Sequence, residues 1–196
     1  MLEVNATLVS ELRQRTGVGF VDCKKALVEA QGDIEAAIIV LKKRGMVAAA
    51  KKATRETHEG IIESYIHMGG RIGVLLELNC ETDFVAKNAD FSQLAKDICM
   101  HIAASNPLYI SRDCVPQTAI DSEKEIATAQ VSGKPQNVIE KIVEGKIDKW
   151  FHQICLLEQP FVKNQDISVE EHIASVVARI GENIRVGRFT RYQIGA

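Results

Sequence analysis

The spacing of apolar residues changes along this chain, and this change of period constrains the fold more than any other feature. In residues 6–45, apolar side chains recur at three- and four-residue steps, which is the period of a helix. From Gly60 to Cys80 the chain is instead rich in Ile, Val, Leu and Tyr, which is typical of strands. Helical spacing then returns, and the side chains of residues 184–194 alternate between two faces, as in a strand. This order predicts an α+β fold, in which helices cover an antiparallel sheet.

The first 45 residues predict three short helices. Gly17 follows the first helix as a stop, and Gly32 ends the second. Asp33 is a good N-cap for the third helix, which we expect to end at Gly45. Helices this short are marginal alone, so we expect the three to pack against each other.

A basic, alanine-rich stretch over residues 46–55 follows, and its composition fits either a helix or a linker. We place a domain boundary there, which gives an N-terminal domain with its linker at 1–55 and a core domain at 56–196. The loop at Gly19 and Phe20 resembles the corresponding loop of ubiquitin-associated (UBA-like) domains. The predicted fold class is therefore α+β: an N-terminal three-helix UBA-like domain followed by a core with an antiparallel three-stranded sheet packed by helices.

Two strands of that sheet are predicted to form a hairpin. They span residues 60–67 and 72–80, and the glycines of Met68-Gly69-Gly70-Arg71 suit a tight turn between them. If the turn is centred on these glycines, paired residues have numbers that sum to about 139. Cys80 is then expected opposite Glu59.

The rest of the core domain combines helices with a returning strand. Helices are predicted at 91–102, at 119–130, from Pro135 to Gly145 with continuation to Cys155, and after a cap at Ser168, with a short strand at 108–110. Residues 184–194 supply the last strand of the sheet. The residues expected on one of its faces are Ile184, Val186, Arg188, Thr190 and Tyr192.

Composition limits the classes of function. Residues 1–56 carry 10 Lys and Arg against 7 Asp and Glu, whereas the other 140 residues carry 14 against 19. This basic bias suits an acidic partner and is weak for a nucleic-acid binder.

No apolar run approaches the roughly 20 residues of a membrane helix, and residues 1–5 lack the features of a secretory signal. The five cysteines show no paired metal spacing, so we expect a cytoplasmic protein without a metal or cofactor.

Enzyme chemistry has weak support in the sequence. No G-x-x-x-x-G-K-[ST] loop occurs, and the glycines of residues 68–73 join two strands rather than open a helix. Cys80 as a nucleophile with His58 as its base is one interpretation, but an apolar cysteine at a strand end is the simpler one. The acids Glu77, Glu81 and Asp83 have no histidine at ligand spacing, which favours solvated carboxylates over a metal site.

The segment Thr82-Asp83-Phe84-Val85 lies on the predicted connection between the second strand and the next helix. An acid followed by a large aromatic ring on such a connection has two interpretations. Either Phe84 packs into the core while Asp83 caps a turn, or Phe84 is exposed and anchors the chain in a partner's pocket.

Four segments resemble the elongation factor Ts family. Residues 79–88, Asn-Cys-Glu-Thr-Asp-Phe-Val-Ala-Lys-Asn, are nearly identical to one family motif, and residues 16–27, Thr-Gly-Val-Gly-Phe-Val-Asp-Cys-Lys-Lys-Ala-Leu, are similar to another. The other two are Gln159-Pro160-Phe161-Val162-Lys163 and Gly181-Glu182-Asn183-Ile184 with Arg188-Phe189. The departures from the family's pattern are Val18, Phe20, Val21 and Asn164.

This resemblance implies a guanine-nucleotide exchange factor of translation elongation, without covalent chemistry of its own. The implied partner is elongation factor Tu, either GDP-bound or nucleotide-free, and no direct contact with nucleic acid or membrane is implied. In the family, a Thr-Asp-Phe-Val tip enters the GTPase domain of Tu and displaces the Mg²⁺ that helps to hold GDP, so that GTP can bind. The matching residues here are Thr82, Asp83, Phe84 and Val85.

The resemblance also implies contacts by the N-terminal domain and a dimer. Leu12, Lys24 and Lys25 are the expected contacts of that domain with the GTPase domain. The chain resembles the short form of the family, which has one core unit and dimerises, so two copies are expected to bind two copies of Tu. The rival interpretations are a UBA-type adaptor that binds a peptide through the Gly19-Phe20 loop, and a cysteine-dependent hydrolase.

Overall fold

The structure is a computed structural model that describes residues 5–131 and 135–195. Residues 1–4, on which the expected absence of a secretory signal partly rests, lie outside the described residues, as do 132–134 and 196. The helices are α1 (Ala6–Thr16), α2 (Phe20–Glu29), α3 (Ile34–Lys52), α4 (Asp83–Ala86), α5 (Ala89–Ser105), α6 (Gln117–Ala129), α7 (Gln136–Ile154) and α8 (Val169–Ile180). The strands are β1 (Glu59–Ile66), β2 (Ile72–Cys80), β3 (Pro160–Phe161), β4 (Asn164–Ser168) and β5 (Ile184–Gln193).

The chain divides into two compact units. Unit 1 comprises the described residues up to 63 together with 76–96 and 171–187. Unit 2 comprises 64–75, 97–170 and the described residues from 188 onward. The domain boundary predicted near residue 55 stays a prediction.

The three N-terminal helices form as the sequence predicts. Asn5 and Asp33 cap α1 and α3, because their side chains accept hydrogen bonds from the backbone N–H groups of Thr7 and Ala36. Gly17 ends α1 in the left-handed conformation, with φ of 68°. One apolar cluster holds the three helices together, and its buried members are Val9, Leu12, Cys23, Ala26, Leu27, Ala37 and Leu41.

The predicted end of the third helix at Gly45 is wrong, because α3 continues to Lys52. Gly45 is buried inside the helix. A Cβ atom at this position would lie 3.8 Å from the Cβ of Ala178 and 3.9 Å from the carbonyl oxygen of Ala174. The glycine therefore allows α3 to approach α8 closely, and most of the stretch over 46–55 is helix rather than linker.

The antiparallel three-stranded sheet forms as predicted, and its strand order is β1-β2-β5. Gly69 and Gly70 both have positive φ, 88° and 67°, in the turn between β1 and β2. The backbone N–H of His67 donates to the carbonyl oxygen of Ile72 at 2.9 Å, which confirms the predicted pairing register. The central strand β2 buries every second residue towards its end, and these residues are Val74, Leu76, Leu78 and Cys80.

The alternation predicted along the last strand holds only for its first half. Ile184 and Val186 are buried, but Arg188 is exposed and the less exposed positions are then Phe189 and Arg191. The burial pattern therefore shifts by one residue after Val186. In unit 2 the guanidinium of Arg191 donates to the carbonyl oxygen of Ala103, at 3.2 and 3.1 Å, which holds this end of the strand against the end of α5.

Unit 2 otherwise contains α6, α7 and most of α5, all predicted as helices, and one pair of strands that the sequence did not reveal. The helix predicted from Pro135 starts at Gln136 and continues to Ile154. The strand expected at 108–110 is reduced to a single parallel bridge between Tyr109 and Cys155. The short strands β3 and β4 pair with each other in antiparallel fashion, and two residues are too few to show an alternating pattern.

Candidate partner-binding site

A short helix, α4, presents the segment that the sequence singles out. The sequence predicted a connection here, but residues 83–86 form one helical turn between β2 and α5. Thr82 is its N-cap, because the hydroxyl oxygen accepts from the backbone N–H of Val85 at 3.4 Å. At the other end Asn88 caps the start of α5, where its side-chain oxygen accepts from the N–H of Asp90 at 2.7 Å. We call residues 82–86 the tip.

Phe84 and Val85 have opposite environments in the tip. The side chain of Val85 is buried, with 8% exposure, and secures the turn to unit 1. Phe84 is 81% exposed, so the interpretation in which its ring packs into the core is wrong. A large apolar ring left in water is a common anchor for a partner's pocket.

Asp83 lies beside Phe84 and forms an ion pair. Its carboxylate accepts a hydrogen bond from the ammonium group of Lys87, 2.7 Å away and four residues later. This hydrogen bond lowers the pKa of Asp83 below its usual value. Both side chains are at least half exposed, so the pair is available to a partner and contributes little to stability.

Every polar group of Thr82 has a partner within unit 1. Its backbone N–H and its hydroxyl both donate to the carboxylate of Glu182, at 3.1 and 2.7 Å. Its carbonyl oxygen accepts from the thiol of Cys80 at 3.2 Å and from the N–H of Ala86 at 3.2 Å. In the sequence, Glu182 stands out only as part of a segment that resembles the family. Strands β2 and β5 are neighbours in the sheet, and their pairing brings Glu182, just before β5, to Thr82, just after β2. Pairing of these two predicted strands could have indicated the contact from the sequence.

Cys80 has the properties of a structural thiol. It is fully buried, and burial together with the nearby carboxylate of Glu182 raises the pKa of the Cys80 thiol to about 11. A thiol that resists ionisation is a poor nucleophile. This argues against the hydrolase interpretation, in which Cys80 would attack a substrate.

The acidic residues of this region act as hydrogen-bond acceptors. Glu81 accepts from the backbone N–H of Asn183 at 2.6 Å, and Glu77 accepts from the side-chain amide of Asn79 at 3.2 Å. Within residues 5–131 and 135–195, no group of three His, Cys, Asp or Glu side chains is arranged to hold a metal ion. A search of the same residues finds no helix with the length and apolar character needed to cross a membrane.

The N-terminal helices carry a second candidate surface, along α2. A shallow groove there is lined by Phe20, Val21, Lys24, Lys25, Val28, Glu29 and Arg44. The three apolar members are 48–61% exposed. Leu12, in contrast, has no exposed surface and belongs to the apolar cluster of the three helices. The two predicted lysines therefore lie on this face, whereas Leu12 supports it from inside.

The comparisons with known proteins agree with the resemblance. The family described as Elongation factor TS matches residues 28–196. The chain is 59% identical over 194 residues to the elongation factor Ts of Syntrophomonas wolfei, with 98% of this chain and 91% of that protein covered. It is 55% identical over 196 residues to the elongation factor Ts of Fervidobacterium nodosum, with 99% of this chain and 100% of that protein covered.

Matches of this extent place the chain among the translation elongation factors, which serve protein biosynthesis. The chain belongs to the elongation factor Ts family.

Proposed function

We propose that this chain is a guanine-nucleotide exchange factor that binds elongation factor Tu in its GDP-bound and nucleotide-free forms. In this proposal the tip dislocates the Mg²⁺ of the bound nucleotide, GDP leaves and GTP binds. The chain makes and breaks no covalent bond itself, and we place it in the cytoplasm. The observation that carries the proposal is the 81% exposure of Phe84 on a turn that the hydrogen bonds of Thr82 hold in place.

The mechanism follows from how Mg²⁺ is held in nucleotide sites. Mg²⁺ requires near-ideal octahedral ligation, much of it by water and phosphate oxygens. An inserted side chain that shifts the elements around the ion spoils this geometry. Burial of a Phe side chain contributes about 1.5–3 kcal/mol, and each 1.4 kcal/mol changes an equilibrium constant about tenfold. Insertion of Phe84 can therefore weaken GDP binding substantially, while Asp83 changes the electrostatics near the ion.

The exchange cycle follows from thermodynamic linkage. If the chain weakens GDP binding by some factor, GDP weakens binding of the chain by the same factor. Arrival of a new nucleotide therefore releases the chain and completes the cycle. No energy source other than nucleotide binding is required.

The groove on α2 supplies a second contact with the same partner. Its exposed apolar residues Phe20, Val21 and Val28 can be buried against the GTPase domain, while Lys24 and Lys25 attract acidic groups at its edge. We therefore propose that Lys24 and Lys25 bind the partner directly. Leu12 contributes by maintaining the packing of α1 against the other two helices.

The proposal is tested by release of a fluorescent GDP analogue from purified elongation factor Tu. We expect the chain to accelerate release, and Phe84→Ala to lose most of this acceleration while its thermal unfolding is unchanged. Leu108→Ala removes another large apolar side chain, which is 60% exposed in unit 2, and serves as the matched control. Full acceleration by Phe84→Ala, or none by the unaltered chain, would show that the proposal is wrong.

We also propose that the chain is a homodimer and that two copies bind two copies of Tu. In unit 2, Ile66 and Leu75 are 66% and 52% exposed, and the side chain of Ile66 approaches Gly73, two residues before Leu75. These residues share the face of the sheet opposite to the buried Val74. The open face of an antiparallel sheet is ordinarily polar, so exposed aliphatic residues there favour burial against a second copy.

Sedimentation velocity at micromolar concentration tests the dimer. We expect a dimer for the unaltered chain and a monomer for Leu75→Glu, because a symmetric interface would bury the new charge twice. Ile126→Glu, at a residue of α6 that is 50% exposed, is the control that should remain dimeric. A monomeric unaltered chain would contradict the proposed assembly.

A further inference from the structure

The turn between α8 and β5 contacts the base of the tip through two consecutive residues on each side. Glu182 accepts two hydrogen bonds from Thr82, and the next residue, Asn183, donates its backbone N–H to the carboxylate of Glu81 at 2.6 Å. These residues are about a hundred positions apart in sequence, and all four belong to unit 1. These hydrogen bonds therefore join the tip to the α8–β5 turn, whose residues 181–183 present no large exposed apolar side chain.

The hydroxyl of Thr82 transmits this contact to α4. A hydroxyl has one proton and two acceptor sites. Its proton is directed to Glu182 at 2.7 Å, which leaves an acceptor site for the N–H of Val85 at 3.4 Å. A hydrogen bond to an ionised carboxylate is stronger than one between neutral groups. Glu182 therefore fixes the orientation in which Thr82 caps the turn that carries Phe84.

Asn183 holds the α8–β5 turn in place through a second set of hydrogen bonds. Its side chain is 3% exposed, and its amide group donates to the carbonyl oxygens of Arg55 and Ala53 at 2.8 and 3.4 Å. Ala53 is the C-cap of α3, where backbone acceptors lack helical partners, and Arg55 follows it two residues later. The α8–β5 turn is thus tied both to the tip and to the segment at and just after the C-cap of α3, so Glu182 acts from a fixed position.

We propose that Glu182 is a positioning residue for Phe84: its carboxylate orders the tip before any partner arrives. This inference rests on the proposed function, in which Phe84 is the anchor. A ring on an ordered turn loses less conformational entropy on binding than one on a flexible loop. Glu182 touches neither the partner nor the nucleotide in this proposal and acts only through Thr82.

The first test measures amide hydrogen exchange in the free chain. Glu182→Gln keeps the shape of the side chain, but its amide nitrogen cannot accept a hydrogen bond and the charge is lost. We expect exchange at the N–H groups of Val85 and Ala86 to accelerate about tenfold, the effect of losing one bond to a charged group. Amides within α5 should keep their protection. Glu170→Gln, at an exposed glutamate of α8, is the matched control and should change none of these rates.

The second test separates positioning from the action of the ring itself. In the GDP-release assay, we expect Glu182→Gln to raise the concentration of the chain needed for half-maximal release about tenfold, with a smaller loss of the maximal rate. Phe84→Ala should instead lower the maximal rate. In a Thr82→Val background, Glu182→Gln should have a much smaller effect, because the hydroxyl through which it acts is absent.

The outcomes distinguish the two proposals. If the unaltered chain does not accelerate GDP release, the proposed function is wrong, and the exchange rates at Val85 and Ala86 still test the ordering of the tip. If those rates are equal in Glu182→Gln and the unaltered chain, the positioning role is overturned, whatever the GDP-release assay gives. Equal loss of protection in α4, α5 and α8 also overturns it, because Glu182 would then stabilise unit 1 as a whole.

Discussion

Two phenylalanines lie in similar sequence settings and have opposite environments. Phe84 in Thr82-Asp83-Phe84-Val85 is 81% exposed, whereas Phe161 in Gln159-Pro160-Phe161-Val162 is 3% exposed. Each follows a polar residue by two positions and precedes a valine. The two segments share this local pattern. The pattern therefore does not determine whether the ring is an exposed anchor or part of the core.

The polar groups around each ring explain the difference. At the tip, the hydrogen bonds of Thr82 order the backbone, and the ring of Phe84 stays 81% exposed. In unit 2, His101 of α5 is fully buried, with Nε2 2.8 Å from the side-chain oxygen of Gln159 and Nδ1 accepting from the N–H of Val162 at 3.1 Å. These bonds hold the chain on both sides of Phe161 against α5, and its ring lies 6.1 Å from the imidazole. One network presents a ring to solvent and the other encloses a ring.

The largest expected difference between the two rings is in stability. Truncation of a buried Phe typically costs about 3–5 kcal/mol, so Phe161→Ala should lower the free energy of unfolding by about that amount. Phe84→Ala should change it by less than about 0.5 kcal/mol, because an exposed side chain loses little packing. Urea unfolding of both variants, followed by circular dichroism, measures the difference.

Phe161→Leu keeps the comparison measurable if the alanine variant does not fold. Leucine retains part of the apolar volume, so its loss of stability should fall between those of the unaltered chain and the alanine variant. A Phe161 variant as stable as Phe84→Ala would contradict the assignment of Phe161 to the core.

The fold could largely be predicted because apolar residues recur with a clear period along most helices and strands. The hairpin register followed from two glycines, and the predicted cap Asp33 occupies a helix start where a short polar side chain is favoured. The errors arose where tertiary contacts override local preference. Gly45 has the residue type of a helix end, but it serves as a close-packing position against α8. Nothing in its neighbouring sequence distinguishes these two uses.

The candidate site was less accessible from the sequence. The tip was located by its motif, yet only the structure places Val85 inside and Phe84 outside, because a four-residue helix has too few residues for a periodic pattern. Leu12 and Lys24 both lie in amphipathic helices, and burial alone separates them. The partner of Thr82, Glu182, is 100 residues away, so its role depends on strand pairing rather than on local sequence.

A smaller difference between the two regions concerns pH. Burial lowers the pKa of His101 below its usual value of about 6.5, and the hydrogen bond to Gln159 opposes this only in part. The neutral ring is needed because Nδ1 accepts the N–H of Val162. The charged groups near it are Asp97, one turn earlier on α5, and its ion-pair partner Lys163, 2.6 Å away. Below pH 6.5 the unfolded chain binds a proton that the folded chain resists, so stability falls as pH falls.

Urea unfolding at pH 7, 6 and 5 tests this difference. We expect the free energy of unfolding to decrease below about pH 6.5, with a slope of at most about 1.4 kcal/mol per pH unit from His101. His101→Gln keeps a side chain that can accept from Val162 and has no titrating group, so its decrease over the same range should be smaller.

The tip contains no histidine, and the lowered pKa of Asp83 places its titration below this range. Hydrogen exchange at Val85 should therefore lose no protection relative to its intrinsic rate between pH 7 and 5. An equal pH dependence in His101→Gln and the unaltered chain would show that His101 does not link proton binding to the packing of Phe161.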